Sequence, residues 1–177
     1  MAITAGLREG ELLGLRWEDV GIGVGKLAFK RQLTRTKDGL SFNAPKRGKT
    51  RSVRLTAHAV NTLKDHRKRQ LEKQPAAGLL WRENGLVFAS TIGTPVDVGN
   101  LTYRSFRPLL ERASLPRIRF HDLRHTCATI LLGKGIHPKV VQEILGHATT
   151  TQTMDTYSHV LPNMEDGAVS AMQEAFS

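Results

Sequence analysis

The alternation of apolar and polar residues that marks a β-strand is concentrated in one stretch of this chain, residues 20–55, and the stretches on either side carry helical spacing. A chain patterned this way has to build a small sheet against a helical body, because neither kind of element covers its apolar face alone. Within the stretch, Leu27, Phe29, Arg31 and Leu33 alternate with other residues, and Arg51–Leu55 reads as a further strand. Gly39 and the run Pro45-Lys46-Arg47-Gly48-Lys49 carry turn chemistry. The spacing predicts an antiparallel sheet of about three strands. The fold class is mostly α with a small antiparallel β-sheet, an α+β architecture.

The helical stretches have their own punctuation. Gly6 to Val20 reads as a helix with Leu7, Leu12, Leu15 and Trp17 toward a core. Thr56 is placed to cap the next helix, with Val60, Leu63 and Leu71 on its inner face. Lys64, Arg67, Lys68, Arg69 and Lys73 fall on its outer face and read as a solvated surface. Leu86–Phe88 reads as a short strand, and Asn100 to Ala113 as a helix with Pro108 marking a break. A helix from His121 to Lys134 stops at Gly135, the next starts at Pro138 and stops at Gly146, and a short one runs through Tyr157. The last runs from Asn163 to Phe176, with Met164, Val169, Met172 and Phe176 as an apolar stripe.

With 177 residues, 40% of them hydrophobic, the chain is the size of one domain and has enough apolar mass for a core. No run is apolar for long enough to span a bilayer, and residues 1–8 carry no signal-peptide pattern. The single cysteine, Cys127, excludes an internal disulfide. These features suit a cytoplasmic protein. Lys and Arg total 26 against 16 Asp and Glu, a net charge of +10, which favours a polyanionic partner and nucleic acid first. The chain also opens abruptly on a helix that carries candidate chemistry, so an upstream part is expected to be missing.

The strongest local cluster is His121-Asp122-Leu123-Arg124-His125. His121 and Arg124 are three apart and share a helix face. His121 falls at the helix start, where free N–H groups favour a phosphate. Next come Leu145-Gly146-His147 and, ten positions after His147, Tyr157. Only Tyr103 and Tyr157 are tyrosines; Tyr103 reads as packing, while Tyr157 sits in the polar run Asp155-Thr156-Tyr157-Ser158-His159. Arg8 opens the first helix with Glu11 three positions on, which by itself reads as a surface ion pair.

Together these pieces resemble the tyrosine recombinase (phage integrase) family, specifically its catalytic domain. The matching segments are Thr4–Glu11, Pro45-Lys46 with Arg51–Leu55, His121–Thr126, Leu145-Gly146-His147 and Asp155–His159, in the family's order. The resemblance implies that Arg8 and Arg124 clamp the scissile phosphate, that His121 and His147 contact it, and that Tyr157 is the nucleophile, with Glu11 in support. It implies Lys46 as the lysine on a turn between strands, with Lys37 and Lys49 as competitors. Arg47 stands where the family often has threonine, and Arg54 where it often has proline. Family members usually carry an upstream core-binding domain, so the resemblance implies that such a part is missing here.

The implied activity is site-specific DNA cleavage and rejoining through a 3′-phosphotyrosyl link, without metal, cofactor or ATP. The implied partner is double-stranded DNA, bound by a homo-tetramer whose C-terminal helix, residues 163–177, passes between protomers. No membrane or small-molecule substrate is implied. A phenol needs help to lose its proton; His121 is the candidate base and Lys46 the candidate acid for the leaving 5′ oxygen. Two other readings fit part of the pattern. A type IB topoisomerase shares the chemistry, and a non-catalytic DNA-binding remnant could use the helices around Val140–Leu145.

Overall fold

The computed structural model describes residues 1–45, 50–157 and 164–176, the side chains of 164–168 and 171 apart. Helices α1 (Ala2–Ala5) and α2 (Glu9–Leu13) open the chain. Strands β1 (Val20–Gly21), β2 (Lys26–Phe29), β3 (Gln32–Thr36), β4 (Gly39–Asn43) and β5 (Arg51–Arg54) follow. The remaining named elements are helices: α3 (Ala57–Ala77), α4 (Val98–Asn100), α5 (Arg107–Arg112), α6 (Asp122–Gly133), α7 (Pro138–Leu145), α8 (Thr150–Tyr157) and α9 (Met164–Ala175).

The described strands form two antiparallel sheets rather than one. The order β1-β2-β5 makes a three-stranded sheet, in which Leu27 faces Val53 and Phe29 faces Arg51. β3 and β4 make a separate hairpin that pairs Leu33 with Phe42. The continuous alternation from Leu27 to Leu33 hides the break. It falls at Lys30–Arg31, where Asp19 receives Arg31 at 2.5 Å and Lys30 at 3.4 Å.

The helix expected over Gly6 to Val20 is shorter: α2 ends at Gly14, a 3-10 turn follows at Trp17–Asp19, and a separate α1 stands before it. Gly6 ends α1 in the left-handed region at φ +60, and a Cβ there would meet Leu145 Cδ2 at 2.6 Å. Arg8 then caps α2. The expected apolar residues still point inward: Leu7, Leu12 and Leu15 are buried with Leu27, Phe29, Val53, Leu63, Phe106 and Phe120 in the main core. Fully burying each such side chain contributes about 1.5–3 kcal/mol.

Thr56 caps α3 through its hydroxyl, which accepts from the Ala59 N–H at 3.2 Å. Leu63 is buried as expected, but Leu71 is exposed. The inner face there is polar. His66 reaches the Val87 carbonyl at 2.6 Å, and Gln70 accepts from Trp17 Nε1 at 2.7 Å while donating to the Leu86 carbonyl at 3.1 Å. Leu71, one residue round from Gln70, is turned to solvent. Leu86–Phe88 is not a strand: Leu86 makes one isolated bridge, to Arg16. The segment before Pro108 is wound as a π-helix, Leu101–Phe106.

The last described helices match their punctuation closely. Pro138 is the first residue of α7, His137 caps it, and Gly146 closes it at φ +65. α6, α7 and α8 enclose a second core of Ala128, Leu132, Val141, Leu145 and Tyr157. On α9 and just after it, Val169, Met172 and Phe176 are exposed. Among the described residues, no helix is long and apolar enough to cross a membrane.

Candidate active site

The site grows from the C-terminal end of α7. The last carbonyls of a helix have no partner within it and carry the negative end of its dipole, so they attract cations. Here three consecutive carbonyls each take a different arginine. The Ile144 oxygen accepts from Arg51 Nε at 3.1 Å, that of Leu145 from Arg124 Nη2 at 2.7 Å, and that of Gly146 from Arg8 Nη2 at 3.2 Å. Gly146 has to be glycine, because a Cβ would lie 2.8 Å from the Arg51 guanidinium on a left-handed backbone.

Arg124 is the centre of this arrangement. It is 2% exposed, and its Nη1 donates to the Gly6 carbonyl at 2.5 Å. One guanidinium therefore ties the end of α1 to the end of α7. Burial, with Arg8 beside it, brings its pKa down to about 10, so it stays charged at neutral pH. Arg8 is more open, with 38% of its side chain exposed.

The carboxylate of the Arg8–Glu11 pair is not on the surface. Glu11 is 3% exposed. It accepts the Arg8 backbone N–H at 2.9 Å and Arg8 Nη1 at 3.0 Å. It also accepts both terminal nitrogens of Arg51, at 2.6 and 2.8 Å. Burial alone would raise its pKa; the hydrogen bonds and charge of Arg51, with those of Arg8, outweigh it and hold the carboxyl below its ordinary value. Arg51 also lies over the Phe29 ring, 4.3 Å from its centroid.

Around this cluster stand the histidines and the tyrosine. His121, at the start of α6, is shifted down by burial and by His125, Arg124 and Arg8. Its ring meets that of His125 edge-on, centroids 4.9 Å apart. His147 follows Gly146 and is held down to about 4 by burial, then by Arg124 and Arg8. Its Nδ1 lies 2.9 Å from the hydroxyl of Thr153. Tyr157 is 3% exposed, its ring packed in the second core. Its hydroxyl is 2.6 Å from His125 Nδ1. Burial pushes the phenol pKa up, and Arg124 opposes that in part.

The structure thus brings Arg8, Glu11, His121, Arg124, His147 and Tyr157 around one cluster of cations. Lys46 lies outside the described residues. Three members of the cluster carry no role in the sequence reading: Arg51, His125 and Thr153. Each had a signal. Arg51 shares a strand face with buried Val53, His125 lies one helical turn from His121, and Thr153 one turn before Tyr157.

Beside His121 opens a cleft lined by Arg107, Arg117 and Arg119 together with Glu9 and Asp122, Arg119 being paired with Asp122 at 2.8 Å. Anionic oxygens placed against Arg8 would find donors on several sides, with a phenol and two imidazoles close by. That set is suited to a phosphodiester.

Comparison with known proteins agrees with this chemistry. Residues 1–164 match the model of the phage integrase family. A protein named Tyrosine recombinase XerC-like, from Caldanaerobacter subterraneus subsp. tengcongensis, is 33% identical over 99% of this chain and 48% of its own length. An integrase of Streptomyces ambofaciens is 30% identical over 96% of this chain and 45% of its own. The chain thus spans about half the length of these relatives. The Tn1549 transposon integrase, solved with circular intermediate DNA, superposes over 98% of this chain and 57% of its own with a TM-score of 0.77 and 22% identity, a likeness of fold. On the extent of the family match and the identity to its members, this chain belongs to the phage integrase family of tyrosine recombinases.

Proposed function

We propose that the chain is the catalytic domain of a site-specific DNA recombinase, which cuts and rejoins double-stranded DNA through a 3′-phosphotyrosyl intermediate. The observation that carries the reading is the phenol of Tyr157 held 2.6 Å from an imidazole nitrogen beside a cluster of arginines. The phenolic oxygen attacks phosphorus as its proton passes to a histidine. The bond to the 5′ oxygen breaks, and that oxygen takes a proton from Lys46. Arg8, Arg124 and His147 hold the non-bridging oxygens, where charge builds in the transition state. His125, in contact with the phenol, is better placed than His121 to receive its proton, and His121 lies edge-on behind it. Arg107, Arg117 and Arg119 take neighbouring phosphates. A second 5′ hydroxyl then reverses the step, and no ATP is needed because the phosphotyrosyl bond keeps the energy.

A nicked duplex carrying the cognate site, from which the cut strand diffuses away, tests this. The covalent complex should form at Tyr157 and persist in EDTA. Activity lost to the chelator and restored by magnesium overturns the reading, and supercoil relaxation without strand exchange moves it to a topoisomerase. With sulfur at the 5′ bridge the leaving group needs no proton. Lys46→Ala should then be slow on ordinary DNA and near normal on sulfur DNA; equal slowing removes Lys46 from the role.

The exposed Val169, Met172 and Phe176 form a stripe that we assign to a neighbouring protomer in a DNA-bound homo-tetramer. Deleting the residues after Pro162 should spare binding to a single site and abolish cooperative assembly. A deleted protein that unfolds places the helix in its own core instead.

A further inference from the structure

On helix α8 the hydroxyls of Thr153 and Tyr157 are four residues apart and so stand on one face. Each meets a histidine from another part of the chain. The Tyr157 hydroxyl is at His125 Nδ1, on α6, and the Thr153 hydroxyl is at His147 Nδ1, just past α7. Thr153 is 0% exposed. A threonine in a helix commonly donates to the carbonyl four residues back, as Thr156 does to Gln152 at 2.8 Å. Thr153 does not; among the described residues its hydroxyl meets His147 alone. A buried donor left unmet costs about 1–3 kcal/mol. The hydroxyl keeps its proton bonded only by giving it to Nδ1, and a bare Nδ1 on a neutral ring puts the ring proton on Nε2.

We propose that Thr153 is a positioning residue that fixes His147 as the Nε2–H tautomer, so that the ring offers a hydrogen-bond donor to a phosphate only while α8 is docked. This rests on the reading of His147 as a phosphate contact. The ring is kept neutral by its burial and by the charges facing it: Arg124 and His125 from α6, Arg8 from the turn before α2, and Arg51 from β5. Its backbone is set separately. The His147 N–H donates to the Gln142 carbonyl at 3.1 Å, and its carbonyl accepts from Gln142 Nε2 at 2.9 Å. So α7 holds the main chain of His147 and α8 holds its ring. The helix that delivers the nucleophile also sets a donor of the phosphate site. Displacing α8 would remove both.

The full chain and its Thr153→Val and Thr153→Ser variants test this. Valine keeps the shape and loses the donor; serine keeps the donor. Nitrogen-15 spectra of the histidine rings, without DNA, should show His147 with a bare Nδ1 and a protonated Nε2 at neutral pH. Donation to Nδ1 favours the neutral ring, so Thr153→Val should raise the His147 pKa, and Thr153→Ser should restore it. On the nicked duplex, Thr153→Val should slow covalent attachment about tenfold or more, well beyond any loss of DNA binding, with the serine variant near wild type. A proton on Nδ1 in the wild-type ring overturns the proposal. So does a valine variant with unchanged ring and rate, or a serine variant as impaired as valine. If the valine variant fails to fold, the wild-type spectrum and the serine variant decide. If the wild type forms no phosphotyrosyl link, the recombinase reading fails, while the ring spectrum still decides the tautomer.

Discussion

Tyr157→Phe should abolish covalent attachment to DNA and leave DNA binding unchanged. The substitution deletes one oxygen and keeps the ring, which fills the second core with Leu132, Val141 and Leu145. The fold loses the hydrogen bond to His125, worth about 1 kcal/mol, so the variant should stay folded. On the proposed mechanism, the chemistry loses its nucleophile outright. On the nicked duplex, the shifted band of the protein–DNA adduct should vanish on a denaturing gel, while binding on a native gel persists. The other tyrosine is a poor substitute: Tyr103 is exposed and lies under Arg107, 4.2 Å from ring centroid to guanidinium. An adduct that survives in Tyr157→Phe and maps to Tyr103 would sink the assignment.

Arg124→Lys should damage both fold and activity, although it keeps the charge. A guanidinium spans the Gly6 and Leu145 carbonyls at once; a lysine ammonium is a point donor on a flexible stem. One buried carbonyl is then left without a donor, at about 1–3 kcal/mol. Attachment should fall by roughly 10²–10³, the loss expected when one preorganised donor to a developing oxyanion is removed. Thermal melting and single-turnover attachment measured together separate the two effects. A lysine variant that attaches to DNA at the wild-type rate would show that Arg124 serves the fold alone.

The residues that carry these predictions differ in how far the sequence exposes them. Thr56, Pro138 and Gly146 announce the ends of helices because capping is local chemistry, readable within a few residues. Gly6 also ends a helix, but the leucines at 7, 12 and 15 that follow it make it read as the start of one. Leu71 is misplaced because His66 and Gln70 look like surface residues until their carbonyl partners across the fold are known. The same limit applies in the site. Spacing alone puts His121 and Arg124 on one face. No spacing says that Thr153 will meet His147, or that Arg51 and Arg8 will share Glu11, since those partners come from separate segments. Glu11 is the clearest case: a sequence neighbour suggests a surface pair, and the long-range partner, Arg51, makes it a buried one.

The three arginines at the end of α7 have a consequence for the protein as a whole. Arg8, Arg51 and Arg124 gather within reach of one carboxylate, Glu11, and of partial charges on carbonyls. Like charges packed this closely are frustrated: each is held by its own contacts and repelled by its neighbours. A bound phosphodiester relieves that repulsion. On the proposed function, DNA would be more than what the enzyme works on: its backbone would act as a counter-ion to the fold, and the end of α7 should be best ordered with a phosphodiester in place.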